Sequence, residues 1–293
     1  MRVPLLLFAF LALTSTASSL FKAERFAEPS LLPATAEEFP QTLNSSELIF
    51  GGTTAKEGQF PTQVFIAYKT TDGKQSICGG SLLTTTHVLT AAHCVLNMRS
   101  PASVMVGSVS ITSGNAQRRD VHTKYIYHGY NPKNSDRRGD IAVVQFSPAV
   151  ILDRNVQLAK IVSDDSALLK KGAAVVSGFG ATKYGTETPS FKLLYASVNL
   201  FSVDYCRKQW AGFDDKKMIC AGAGDRGTGP GDSGGPIQVS IDGKFTQVGL
   251  TSFGDPNVSV AQRPQDRLAT VYTRISQYCN FINHATQHGA SCV

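Results

Sequence analysis

The chain has 293 residues, of which 42% are hydrophobic and 17% charged, and its formal net charge is +6. That length and apolar fraction exclude a disordered chain and are enough for a full core, which an all-β chain of this size can build as one domain. The basic residues are scattered, with Arg118-Arg119 and Arg137-Arg138 the densest groups, so the charge reads as a solvated basic surface and not as a nucleic-acid site.

Residues 1–19 place Arg2 before an apolar run from Val3 to Leu13, followed by small residues around Ala17 and Ser19. This is the layout of a secretory signal peptide; a membrane anchor is the competing reading, but the run is well short of the roughly 20 apolar residues a span needs. No other stretch is long and apolar enough to cross a membrane, so a secreted, extracellular product is expected. Residues 20–48 are acidic, free of glycine, punctuated by prolines and without strand alternation, and read as a propeptide outside the folded unit. Removing residues 1–48, with three basic and five acidic residues, leaves a net charge of +8.

From Ile49 to residue 293 the texture changes to short apolar runs between turn residues: QVFIAY (63–68), HVLTAA (87–92), DIAVVQF (140–146), AAVVSGF (173–179), PIQVSI (236–241) and TQVGLTSF (246–253). Short strands with frequent turn signals over about 200 residues predict an all-β barrel or sandwich. One helix is expected at the end, where Ile275, Tyr278 and Ile282 share a helical face and Gly289 offers a stop. Asn44-Ser45-Ser46 and Asn257-Val258-Ser259 are N-glycosylation acceptor sequons.

Six cysteines, at 78, 94, 206, 220, 279 and 292, are an even count in a chain read as secreted and predict three disulfides, with the connectivity open. Zinc is the competing reading, but no Cys-x-x-Cys pair or Cys/His cluster has ligand spacing, and no metal is expected.

Chemistry concentrates in three places. Gly231-Asp232-Ser233-Gly234-Gly235-Pro236 surrounds one serine with glycines, which let the backbone turn sharply and bring N–H groups to a ligand. A serine is a poor nucleophile near neutral pH and needs a base. His93, in Thr90-Ala91-Ala92-His93-Cys94, is the candidate, and Asp140, an acid opening the apolar run Ile141-Ala142-Val143-Val144, is the candidate to orient it. Singly these are a core histidine, a turn acid and a loop serine. Together, in the order His, Asp, Ser, they resemble the chymotrypsin/trypsin family of serine peptidases, which is the general template for triad catalysis, over Ile49 to about Tyr278.

The resemblance implies two antiparallel six-stranded barrels with a C-terminal helix and a triad of His93, Asp140 and Ser233. It also implies an oxyanion hole from the N–H groups of Gly231 and Ser233, and Ser252 beside the aspartate. The implied disulfides are Cys78 with Cys94 and Cys206 with Cys220, leaving Cys279 and Cys292 to tie the last helix to the tail. Ile49-Phe50-Gly51-Gly52 looks like the family's new N-terminus, whose freed amine pairs with the acid before the serine, here Asp232. Cleavage after Leu48 is then required, and since most relatives carry a basic residue at that place, the activator is one that accepts leucine, or the enzyme activates itself.

At the base of the implied specificity pocket Gly227 replaces the aspartate of trypsin-like members, so a buried Lys or Arg would lack a partner. Gly254 keeps one wall open and Thr270 narrows the other, which implies cleavage after small or medium uncharged residues, elastase-like first and chymotrypsin-like second. Gly229 stands where the family has a pocket cysteine, 255–269 is cysteine-free and long, and Phe179 replaces a tryptophan, all of which imply a less constrained wall. Val95 to Arg119 contains no Asp or Glu, so no calcium is expected on that loop, and the reaction needs no cofactor. Expected partners are protein or peptide substrates, the activating protease and protein protease inhibitors, with the enzyme a monomer. The alternative is a non-catalytic homologue that binds proteins or glycans, in which a triad residue is typically lost. An α/β-hydrolase esterase does not fit, because its nucleophile motif and chain order differ.

Overall fold

The computed structural model describes residues 21–26, 49, 51–133, 137–181, 188–224, 226–254 and 269–293. Leu48, Asn44, Asn257 and the signal segment therefore lie outside the described residues. The first barrel is built from β3 (Gln63–Thr70), β4 (Gln75–Thr84), β5 (His87–Thr90), β6 (Met98–Val106), β7 (Gln117–Tyr127) and β8 (Ala142–Ser147). Every pairing is antiparallel, in the order β7-β6-β3-β4-β5-β8, and the β7–β8 pairing closes the ring. The second barrel contains β9 (Ala173–Gly178), β10 (Leu194–Leu200), β11 (Met218–Gly222), β12 (Pro236–Ile241), β13 (Lys244–Phe253) and β14 (Thr270–Arg274). Its order is β11-β14-β13-β12-β9-β10, closed by β10–β11. Two short strands lie outside the rings: β2 (Thr53–Thr54) on β10, and β1 (Phe21–Arg25) on β7.

The strands read as continuous apolar runs because both of their faces are buried. In β3, Val64, Ile66 and Tyr68 fill the first barrel, while Phe65 points outward into a cluster with Phe179 and Leu193 of the second half. In β8, Ala142, Val144 and Phe146 enter the same barrel interior. Val143, and Ile141 just before the strand, pack outside against Tyr278, Phe281 and Ile282. The second barrel closes on Val176, Leu194, Val198, Ile237, Val239 and Tyr272.

Several expected boundaries shift, three of them at elements that carry or flank the site. The HVLTAA strand stops at Thr90, and Ala92–Leu96 forms a short helix, α1. The strand expected from Asp140 starts at Ala142. The last helix begins as a 3-10 turn, Ile275–Tyr278, and continues as α4 (Cys279–Ala285), ending before Gly289. Two further short helices are α2 (Ser166–Leu169) and α3 (Val203–Gln209). The leader, read as strand-free, contains β1: its own pattern is weak, and the free edge of β7 supplies the order that alternation does not. The three disulfides join Cys78 to Cys94, Cys206 to Cys220 and Cys279 to Cys292.

Candidate active site

His93 stands on α1, the turn into which β5 runs, and Cys94 beside it is bonded to Cys78 of β4. Asp140 arrives just before β8 and is wholly buried. Its Oδ2 lies 2.7 Å from His93 Nδ1, and its Oδ1 accepts the His93 backbone N–H at 2.9 Å. Ser252, on β13 of the second barrel, donates its hydroxyl to Oδ2 at 2.5 Å. Thr273 of β14 donates to the Asp140 carbonyl at 2.9 Å. Burial alone would push the Asp140 carboxyl up, but the charge and hydrogen bonds of His93 and the Ser252 hydroxyl outweigh it and hold the group below the usual carboxylate range. An ionised carboxylate only accepts, so His93 Nδ1 is the donor to it, and in the neutral tautomer this leaves the lone pair on Nε2.

Ser233 is half-buried in the turn before β12. Its carbonyl accepts the N–H of Gly79 on β4 at 2.8 Å, and Gly234 N–H donates to Thr251 of β13 at 2.8 Å. The serine loop is thus sewn to both barrels. Cys94 Sγ lies 3.8 Å from His93 Nε2 and 3.5 Å from the Ser233 carbonyl oxygen, so the histidine and the serine loop abut the same disulfide. That disulfide consumes both sulfurs near His93, and no thiolate is left there for a metal. Among the described residues Ser233 Oγ has no hydrogen-bond partner, and the N–H groups of Gly231 and Ser233 take no part in the backbone bonds of the turn. Gly231 has φ of +93°, and a Cβ there would lie 2.9 Å from the Ile77 side chain and 3.0 Å from Gly180 Cα. Only glycine fits that conformation and that gap.

Asp232 turns the other way, into the second barrel. It is fully buried, and its carboxylate accepts Gly180 N–H at 2.8 Å and Gly229 N–H at 3.0 Å. Burial pushes its pKa up to about 7 against the pull of those two bonds, Gly229 first. Ile49 is also fully buried, in the cluster of Val176 and Leu194. The strand partner of Leu194 is Gly178, two residues before Gly180. Ile49 and Asp232 therefore flank the same short stretch of chain. A Cβ on Gly180 would lie 2.5 Å from Asp232 Cγ. Gly180→Ala is expected to displace the Asp232-Ser233 turn and lower kcat/KM for a peptide substrate about 10²-fold, since catalytic groups tolerate little misplacement; activity within twofold of the parent would show that the turn does not depend on this contact.

In the pocket region Gly227 is buried, and Thr228, with its side chain 3.4 Å from both Thr270 Oγ1 and the Tyr272 hydroxyl, lies beside it. A Cβ on Gly254 would sit 3.6 Å from Thr270 Oγ1, in ordinary van der Waals contact, so these two positions are neighbours. No acid occupies position 227 to meet a cation. The wall, expected to be loose without its disulfide, is braced where it re-enters β14. Ala269 N–H donates to Gln209 Oε1 at 2.8 Å, and the Trp210 indole N–H donates to the Ala269 carbonyl at 2.9 Å. Trp210 also packs edge-on against Phe253, with centroids 5.2 Å apart, and α3 beneath it is held by the Cys206–Cys220 bond.

Sequence reading missed Gln209 and Trp210, whose partners lie some sixty residues on. It also missed Arg137, counted only as part of a basic pair. The Arg137 guanidinium donates to the Ser252 carbonyl at 3.4 Å and lies 6.0 Å from the Phe253 ring centroid, from a backbone with φ of +45°.

Paired barrels, with a buried acid holding a histidine in one half and a serine turn from the other, define the class of serine endopeptidases. A family model described as Trypsin matches residues 49–282, and the chain belongs to that chymotrypsin/trypsin-like family. It is 31% identical over 257 residues to chymotrypsin-like elastase family member 1 of Canis lupus familiaris, covering 85% of this chain and 95% of that protein. The Homo sapiens protein of the same name is 30% identical over 257 residues, with the same two coverages of 85% and 95%. Chymotrypsin-C of Rattus norvegicus is 32% identical over 253 residues, 83% of this chain and 91% of that one. Protein substrates follow from the family. Among the described residues no helix is long and apolar enough to cross a membrane.

Proposed function

We propose that this is a secreted peptidase, made as a zymogen, that cleaves after small or medium uncharged residues. Ser233 Oγ attacks the peptide carbonyl, His93 Nε2 takes its proton and later gives it to the leaving amine, and Asp140 holds the imidazole and stabilises its charged form. The N–H groups of Gly231 and Ser233 receive the oxyanion, a contribution of about 3 kcal/mol per donor. The observation that carries the reading is the Asp140 carboxylate, which takes both His93 N–H groups and the Ser252 hydroxyl and so leaves a free base at Nε2 beside the serine turn.

Activation is cleavage between Leu48 and Ile49, after which the new ammonium meets Asp232. Residues 1–19 are removed on secretion, and Asn44 and Asn257 are open to glycosylation. The relatives named for elastase and chymotrypsin support an apolar preference, and Gly227 and Thr270 support its smaller end.

The test is digestion of a mixed peptide library by the chain cut at Leu48–Ile49, with cleavage sites read by mass spectrometry. Cuts after Ala, Val or Leu are expected, and cuts after Lys or Arg would refute the pocket assignment. Thr270→Gly is expected to raise cleavage after Phe or Tyr relative to Ala by tenfold or more, in the range that one or two methylene-sized groups give in a pocket; an unchanged ratio would remove Thr270 from the pocket. A folded, cut chain that neither cleaves nor labels at Ser233 with a covalent serine-hydrolase probe would favour the non-catalytic homologue.

A further inference from the structure

Five leader residues are seated on the first barrel, with Phe21 opposite Tyr127 and Arg25 opposite Thr123 along the edge of β7. Phe26 N–H extends the ladder to the His122 carbonyl at 2.9 Å. An aromatic ring anchors each end. Phe21 meets Tyr125 edge-on at 5.2 Å and Phe281 of α4 at 6.3 Å, and Phe26 packs on the core of the first barrel. Between them Glu24 reaches Lys124, at 3.1 Å from its Nζ.

Lys124 is unusual in its own right, with its side chain only 1% exposed. Its ammonium donates to the carbonyls of Val95 at 2.9 Å, Leu96 at 3.2 Å and Met98 at 3.4 Å, at the C-terminal end of the helix that carries His93. The Phe26 ring covers it at 5.7 Å. Among the described residues Glu24 is the carboxylate paired with it. Lys22 of the same strand holds the other Glu24 oxygen at 2.7 Å. Without the leader, this buried charge would lose its counter-ion and β7 would expose an open strand edge, both of which are costly. The leader contains no cysteine, so nothing covalent would hold it once the chain is cut.

We propose that Phe21–Phe26 is a docking strand that stays on the first barrel after cleavage at Leu48–Ile49, so that the working enzyme is a non-covalent complex of leader peptide and catalytic chain. Glu24 is the counter-ion of Lys124, whose ammonium holds the carbonyls at the end of the His93 helix. The occupant of this edge is the chain's own leader, an extended peptide with an aromatic at each end and a carboxylate between. The proposal rests on the activation reading only for where the chain is cut in nature.

The test therefore uses the full chain with a recognition sequence for a site-specific protease placed within residues 30–40, cut there and passed through gel filtration at about 10 μM, a concentration at which a micromolar complex persists. The leader is expected to co-elute with the catalytic chain, as read by mass spectrometry. Glu24→Gln, which keeps shape and removes charge, is expected to weaken its retention at least tenfold, and Phe21→Ser to do the same. Elution of the unaltered leader as a free peptide would overturn the docking strand, and equal retention of the Glu24→Gln leader would overturn the counter-ion role. If the leader is retained here but the native chain is never cut at Leu48, the activation reading fails while the docking strand stands.

Discussion

Ser233→Ala is expected to lower kcat for a peptide ester about 10⁶-fold with little change in KM, leaving only the acceleration that binding and the oxyanion donors supply. The fold should be untouched, because Ser233 Oγ makes no hydrogen bond among the described residues and its anchoring contact is through the backbone carbonyl to Gly79. His93→Ala should cost a similar factor. The double variant should be no worse than either single one, since nucleophile and base act as a unit and removing one already removes the step. A Ser233→Ala protein that still turns over, or single effects that multiply, would sink the assignment. Unfolding midpoints measured alongside separate lost chemistry from lost fold.

The second large effect belongs to Asp232 and depends on pH. In the uncut chain this fully buried carboxyl is pushed up to about 7 by burial, while an unfolded chain releases the same proton near 4. Between about pH 4 and pH 7 the folded uncut chain therefore holds a proton that the unfolded chain has lost, and stability falls as pH rises through that window. About three pKa units correspond to roughly 4 kcal/mol for this group. Cleavage before Ile49 supplies an ammonium, which favours the ionised acid and reverses the sign. The contribution of Asp232 is then present above about pH 4 and lost as pH falls through its lowered folded value.

Denaturant unfolding at pH 5 and pH 8 should show stability falling with pH in the uncut protein and no Asp232 contribution to the slope in the cut protein, whose loss comes only below about pH 4, and Asp232→Asn should flatten the slope of the uncut form. Identical slopes for both forms would mean that the freed amine never reaches Asp232. The glycine contacts bear on the same group, since the Asp232 carboxylate fills the space that a Cβ on Gly180 would take, 2.5 Å from its Cγ.

Most of the fold class was legible because the signals are local. Each strand's apolar run, each turn glycine and the three short motifs around His93, Asp140 and Ser233 survive in one dimension, and a family resemblance carried by those motifs brought the barrels with it. Boundaries were less legible. HVLTAA reads as one strand, yet the chain bends after Thr90, where β5 gives way to α1 and His93 takes its place beside Asp140. The leader strand was illegible for a related reason. Residues 21–25 alternate poorly, with only Phe21 and Glu24 partly buried, and their order comes from an edge of β7 about a hundred residues away.

By itself the sequence determined the residue types on which the chemistry depends: a histidine, an acid and a serine in family order, an uncharged residue where a cation-binding acid would stand, and six cysteines. Only the tertiary structure decided how those groups are used. The Ser252 hydroxyl on Asp140, the Gln209 and Trp210 brace at Ala269, and the Glu24 carboxylate on buried Lys124 are pairings across long stretches of chain. Spacing along the chain carries no record of them, because hydrogen bonds and ion pairs depend on distance in space, which is set when the two barrels close and pack.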